Sequence, residues 1–138
     1  MSGQQPVFVP LLVPGSAEHA TAASATVLDR YIDRLNAADL AGMDACLHFP
    51  HHVRSGGVVE TWPAPGRLTP SFFDELRDRN WSYCSYLHRE VVAAAAEKVT
   101  WYVRYGWHRA DGSLIAEEDS TWVLTLSDGR WGIRMRSV

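Results

Sequence analysis

Residues 98–108 read Lys-Val-Thr-Trp-Tyr-Val-Arg-Tyr-Gly-Trp-His. Val99, Trp101, Val103, Tyr105 and Trp107 take every second position, and polar or small residues fill most of the others. Period two belongs to a strand that buries one face; a helix would scatter these side chains around its girth. Asp111-Gly112 and Asp128-Gly129 follow at strand-length intervals. Aspartate-glycine tolerates the positive φ of a tight hairpin, so each pair marks a reversal. Strands are therefore expected over 83–94, 99–109, 114–126 and 130–138, as an antiparallel meander.

The front half follows another period. Val27, Leu28, Tyr31, Ile32 and Leu35 form one helical face in a segment that Ser16 can cap and that ends near Ala37. Asp39 can cap a second helix, from Leu40 to about Leu47, which Pro50 is expected to stop. Short runs at 51–55 and 58–62 flank Gly56-Gly57 and read as a hairpin. Thr69-Pro70 opens a third helix ending near Asn80. The aromatic residues agree with this division. Of fifteen, only Phe8, Tyr31 and Phe49 precede residue 62, and all six tryptophans follow residue 61. Helices packed on one face of an antiparallel sheet make an α+β domain. It is expected over 16–138, with 1–15 as an N-terminal arm.

Several function classes are excluded by what is missing. Thirteen basic against sixteen acidic residues give a net charge of −3, without the basic stripe a nucleic-acid binder needs. No apolar run is long enough to span a bilayer. Cys46 and Cys84 lack C-x-x-C spacing and read as reduced thiols of a cytoplasmic protein. There is no G-x-S-x-G, no phosphate-binding glycine loop, no dinucleotide fingerprint and no H-E-x-x-H, so no cofactor is expected. His48, His51 and His52 are the densest titratable group, but His51 and His52 diverge on a strand, so no metal site is expected.

Two strings carry a resemblance. Residues 31–42, Tyr-Ile-Asp-Arg-Leu-Asn-Ala-Ala-Asp-Leu-Ala-Gly, are similar to the helix 1 to helix 2 passage of the nuclear transport factor 2-like superfamily. Residues 121–133, Thr-Trp-Val-Leu-Thr-Leu-Ser-Asp-Gly-Arg-Trp-Gly-Ile, resemble its last hairpin. The branch resembled is that of the SnoaL-like and ketosteroid-isomerase-like proteins. Leu47-His48-Phe49-Pro50-His51 also looks like an uncharacterised subgroup. The resemblance implies a cone-shaped α+β barrel: a strongly bent antiparallel sheet wrapped around a long N-terminal helix, with two shorter helices. It implies an apolar pocket and a homodimer.

Carried over by register, the isomerase's oxyanion-hole tyrosine falls on Tyr31, its general-base aspartate on Ser55 and its protonated aspartate on Ser120. Both acids are thus missing, and a serine without an activator does not shuttle protons at neutral pH. A ketosteroid isomerase of the two-aspartate type is not expected. His51 shares a strand face with Ser55 and is expected to take the base's place, while Tyr31 polarises a carbonyl. Ser55, Trp101, Tyr105, Glu118, Ser120 and Trp122 are expected to bind the ligand. The expected ligand is a small, largely apolar, carbonyl-bearing molecule, and the expected chemistry is proton transfer: isomerisation, cyclisation or dehydration. The alternative is a non-enzymatic ligand-binding or oligomerisation module.

Overall fold

A computed structural model describes residues 15–138. The expected arm, 1–15, lies outside the described residues except for Gly15. The elements run α1 (Ala17–Asn36), α2 (Leu40–Asp44), β1 (Leu47–Ser55), β2 (Val58–Trp62), α3 (Pro70–Asp78), β3 (Tyr83–Ala95), β4 (Lys98–His108), β5 (Leu114–Ser127) and β6 (Arg130–Ser137). Among the described residues no helix is long and apolar enough to cross a membrane.

The caps follow local chemistry. Ser16 Oγ accepts from His19 N at 2.9 Å, and Asp39 Oδ1 accepts from Gly42 N at 2.9 Å. Thr69 occupies the N-cap of α3 with Pro70 behind it, but its hydroxyl bonds Ser71 instead of a backbone N–H. α1 buries Ala20, Ser24, Val27, Leu28, Tyr31 and Leu35 on one stripe. That stripe packs on β3, β4 and β6. Each fully buried Leu or Val there contributes roughly 1.5–3 kcal/mol.

The strand order is β2-β1-β6-β5-β4-β3. The four-strand meander is present, and both aspartate-glycine pairs lie at its turns. Two features differ from expectation. The sheet is mixed and open: β1 runs parallel to β6, and β2 and β3 are free edges, so the barrel does not close. And α2 stops at Asp44, six residues before Pro50, with β1 already begun at Leu47. Proline is tolerated there because the β1–β6 ladder breaks between Leu47 and His52, so no ladder bond is lost at Pro50. Further register shifts interrupt β3–β4, β4–β5 and β5–β6. Such bulges bend a sheet and increase its twist, which curves this one around α1.

Candidate functional site

The concave face of the sheet, α1 and the start of α3 enclose a cleft of about 210 Å³. Tyr31 and Leu35 come from α1, Val53 and Trp62 from β1 and β2, and Leu68 and Phe72 from the approach to α3 and its first turn. Tyr105 and Trp107 come from β4, Glu118, Ser120 and Trp122 from β5, and Arg136 from β6, with Val138 beyond it. The lining is predominantly apolar. A cavity of about 150 Å³ holds a benzene molecule, so this cleft has room for one aromatic ring and a few further atoms. A second hollow of about 200 Å³ lies alongside, with Trp107 and Glu118 common to both.

One end of the cleft is polar, and Arg136 organises it. Its Nη1 donates to Tyr31 Oη at 2.8 Å, and its Nε donates to His51 Nε2 at 3.1 Å. The guanidinium carbon lies 5.4 Å from the Tyr31 ring centre, 5.3 Å from that of Trp62 and 5.7 Å from that of Trp122. Those distances suit cation–π attraction to all three rings. Burial pushes the Tyr31 pKa up, more than the Arg136 charge pulls it down. The phenol therefore keeps its proton. Because its oxygen accepts from Arg136, that proton is free to be donated elsewhere.

His51 lies behind Arg136 and does not line the cleft. It is fully buried. Its Nδ1 sits 3.0 Å from the Ile133 carbonyl oxygen, which only accepts; Arg136 Nε–H only donates. These partners assign the neutral tautomer with the proton on Nδ1. Burial first, and the Arg136 charge second, lower its pKa to about 3. The lone pair that a general base would use is thus already taken. His51 is expected to face the ligand; the structure places it instead against the inner edge of Arg136.

The other expected residues divide between cleft and periphery. Tyr31, Tyr105, Glu118, Ser120 and Trp122 all line the cleft. Ser120 Oγ donates to Ser137 O at 3.0 Å and accepts from Trp122 Nε1 at 2.9 Å, so it fixes the tryptophan ring. Glu118 accepts from Trp107 Nε1 at 3.3 Å. Ser55 is exposed at the β1–β2 turn, outside the cleft; Val53, two residues earlier on the same strand face, is the wall residue. Trp101 is buried beneath α1, its Nε1 donating to Ser24 Oγ at 2.9 Å, and it too is not part of the lining. His48 Nε2 lies 3.1 Å from Thr125 O and 3.0 Å from Arg130 O, and His52 Nδ1 lies 3.0 Å from Thr61 Oγ1. No metal-binding cluster of three or more His, Cys, Asp or Glu occurs among the described residues.

Sequence reasoning missed Arg136. The available signal was the β5–β6 hairpin, but counting back from its turn puts Met135 opposite Trp122. In the structure Leu124 still pairs with Ile133, yet Val123 pairs with Met135 and Trp122 with Arg136. The extra residue, Arg134, moves Arg136 onto the cleft face.

No family model matches the chain, and no curated protein matches it. Solved structures do. A candidate ketosteroid isomerase from Shewanella frigidimarina NCIMB 400 is 16% identical, with 83% of this chain and 93% of that one covered and a TM-score of 0.58. An NTF2-like protein of unknown function from Shewanella oneidensis MR-1 is 15% identical over 85% of this chain and 96% of that one, with a TM-score of 0.63. Aln2 from a Streptomyces species is 16% identical over 86% and 88%, with a TM-score of 0.62. The chain has the nuclear transport factor 2-like, or cystatin-like, fold. At these identities the likeness speaks to fold and not to activity.

Proposed function

We propose that the cleft binds a small, largely apolar molecule bearing a carbonyl group, whose oxygen is held by Tyr31 and Arg136. The observation that carries this reading is the pairing of those two donors at one end of a predominantly apolar, aromatic-walled cleft. A few convergent polar groups in an apolar hollow are the usual composition of a small-molecule site. The same donors suit proton transfer beside the carbonyl. A phenol and a guanidinium stabilise the negative charge that grows on oxygen as an enolate forms. Isomerisation, cyclisation and dehydration all pass through such charge. Glu118 adds a carboxylate to the same cleft wall.

The test is direct. Small phenyl ketones at millimolar concentration should change the tryptophan emission, because Trp62, Trp107 and Trp122 line the cleft. Tyr31→Phe should weaken them severalfold with an unchanged far-UV spectrum. Native mass spectrometry of freshly purified protein would report any small molecule carried along. A chain that binds no such compound, and carries none, refutes the reading.

Binding without turnover is the second reading. It is favoured by the engaged lone pair of His51 and by Ser55 lying outside the cleft. A homodimer belongs to either reading. Leu87, Val91 and Val92 are exposed on β3, an edge strand, and light scattering would measure the mass in solution.

A further inference from the structure

Arg136 brings a permanent positive charge to the cleft wall. Among the described residues no carboxylate lies within 4.0 Å of it. Its partners are a phenol, a neutral imidazole and three aromatic faces. Nε and Nη1 each donate once to them, and Nη2 donates to no described residue. Nη2 is also not among the buried atoms left without a partner, so it keeps access to solvent or to the cleft. The end-on edge of the guanidinium, Nη1 with Nη2, therefore retains N–H groups, and the Tyr31 proton is free beside it.

A half-buried cation without a counter-ion is costly, and aromatic faces offset only part of that cost. A carbonyl oxygen would satisfy one donor. A carboxylate satisfies two parallel N–H groups and supplies the missing charge, which is the geometry that arginine recognises best. We infer, resting on the small-molecule reading above, that the natural ligand is an apolar monocarboxylate. Its carboxylate sits on Arg136 and Tyr31, and its ring or chain lies along Tyr105, Trp107 and Trp122.

Glu118 sharpens the class. It lies opposite Tyr105, four residues along β5 from Trp122, the cross-strand partner of Arg136. At ~3.3 Å per residue that separates the two positions by roughly 13 Å of strand. The cleft is thus cationic at one end and anionic at the other. A second carboxylate on the far end of the ligand would meet Glu118 and be repelled, whereas a neutral or hydroxylated end would not.

The experiment titrates the full chain with matched probes, followed by calorimetry and tryptophan emission. Benzoate, phenylacetate and 3-phenylpropionate are compared with the methyl ketones of the same skeletons, and with 4-carboxyphenylacetate. At least one monocarboxylate should bind tenfold or more tightly than its ketone, and more tightly than the dicarboxylate. Arg136→Met should abolish that preference, weakening the carboxylates at least tenfold more than it weakens their ketones. If Arg136→Met does not fold, Arg136→Lys keeps the charge, loses the fork and should cut carboxylate affinity several-fold. Ketones that bind as well as their carboxylates overturn this inference and leave the small-molecule reading standing. If neither class binds, both fall.

Discussion

Acidification should destabilise this protein well above the range in which carboxylates titrate, and His51 is the reason. In the folded chain it is buried, neutral and bonded through both nitrogens, with a pKa of about 3 against an ordinary value of 6.5. Between those values the unfolded chain holds a proton that the folded chain refuses. Stability therefore rises with pH through that window, and is lost as pH falls from 6.5 toward 3. From pH 6.5 to 4.5 the loss attributable to His51 is about 2 kcal/mol, since each full pH unit is worth about 1.4 kcal/mol. The figure is insensitive to the precise folded pKa, because the window lies above it and the unfolded value sets the onset. His48, whose pKa is lowered by burial and by Arg130, contributes with the same sign. A variant is needed to separate the two. His51→Asn keeps a side-chain N–H for the Ile133 carbonyl and removes the titration. Urea unfolding at constant ionic strength, followed by tryptophan emission at pH 7.0, 6.5, 5.5 and 4.5, gives both profiles. The parent should lose about 2 kcal/mol more than the variant between pH 6.5 and 4.5. Nitrogen-detected NMR of the parent should show the Nδ1–H tautomer unchanged across that range. The reasoning is falsified if the two profiles run parallel, or if the imidazole gains a proton near pH 6.

Three further outcomes follow from the same contacts. Ser120→Ala leaves the Trp122 indole N–H and the Ser137 carbonyl without their partner, and should cost about 1–3 kcal/mol in urea unfolding. Thr125→Val should be neutral or stabilising by up to about 1 kcal/mol, because Thr125 Oγ1 is buried with no hydrogen-bond partner among the described residues; a clear loss of stability would show that the hydroxyl has one. Arg136→Met removes the second-largest cause of the His51 depression, so the His51 pKa should climb from about 3 yet stay below 6.5 in an NMR titration, since burial persists.

Most of the fold was legible because its signals are local. The alternation at 98–108 and the two aspartate-glycine turns define β4, β5 and β6 to within about a residue, and the caps at Ser16 and Asp39 hold. What was not legible is non-local. Nothing near Leu47 in the chain announces that it will pair in parallel with Ile133. Read alone, Pro50 looks like a helix stop; beside a strand whose ladder is interrupted, it is a tolerated strand residue.

The candidate site was half legible for the same reason. Trp122, Ser120 and Glu118 share a face by simple alternation, and the cleft uses all three. Arg136 depends on a single extra residue, and that bulge has to be held. Around it the β1–β6 ladder is broken from Leu47 to His52. The Ile133 carbonyl is taken instead by His51 Nδ1–H, and the Pro50 carbonyl by Arg134 Nη1. His51 thus satisfies the backbone at the bulge with one nitrogen and accepts from Arg136 with the other. The histidine that sequence logic selects for chemistry is in the right place for a different role. It stabilises the irregularity that brings the arginine into the cleft, and it can do so only while neutral. Its low pKa suits it to hold the arginine, because a charged imidazole there would repel Arg136 and lose the lone pair that accepts from it.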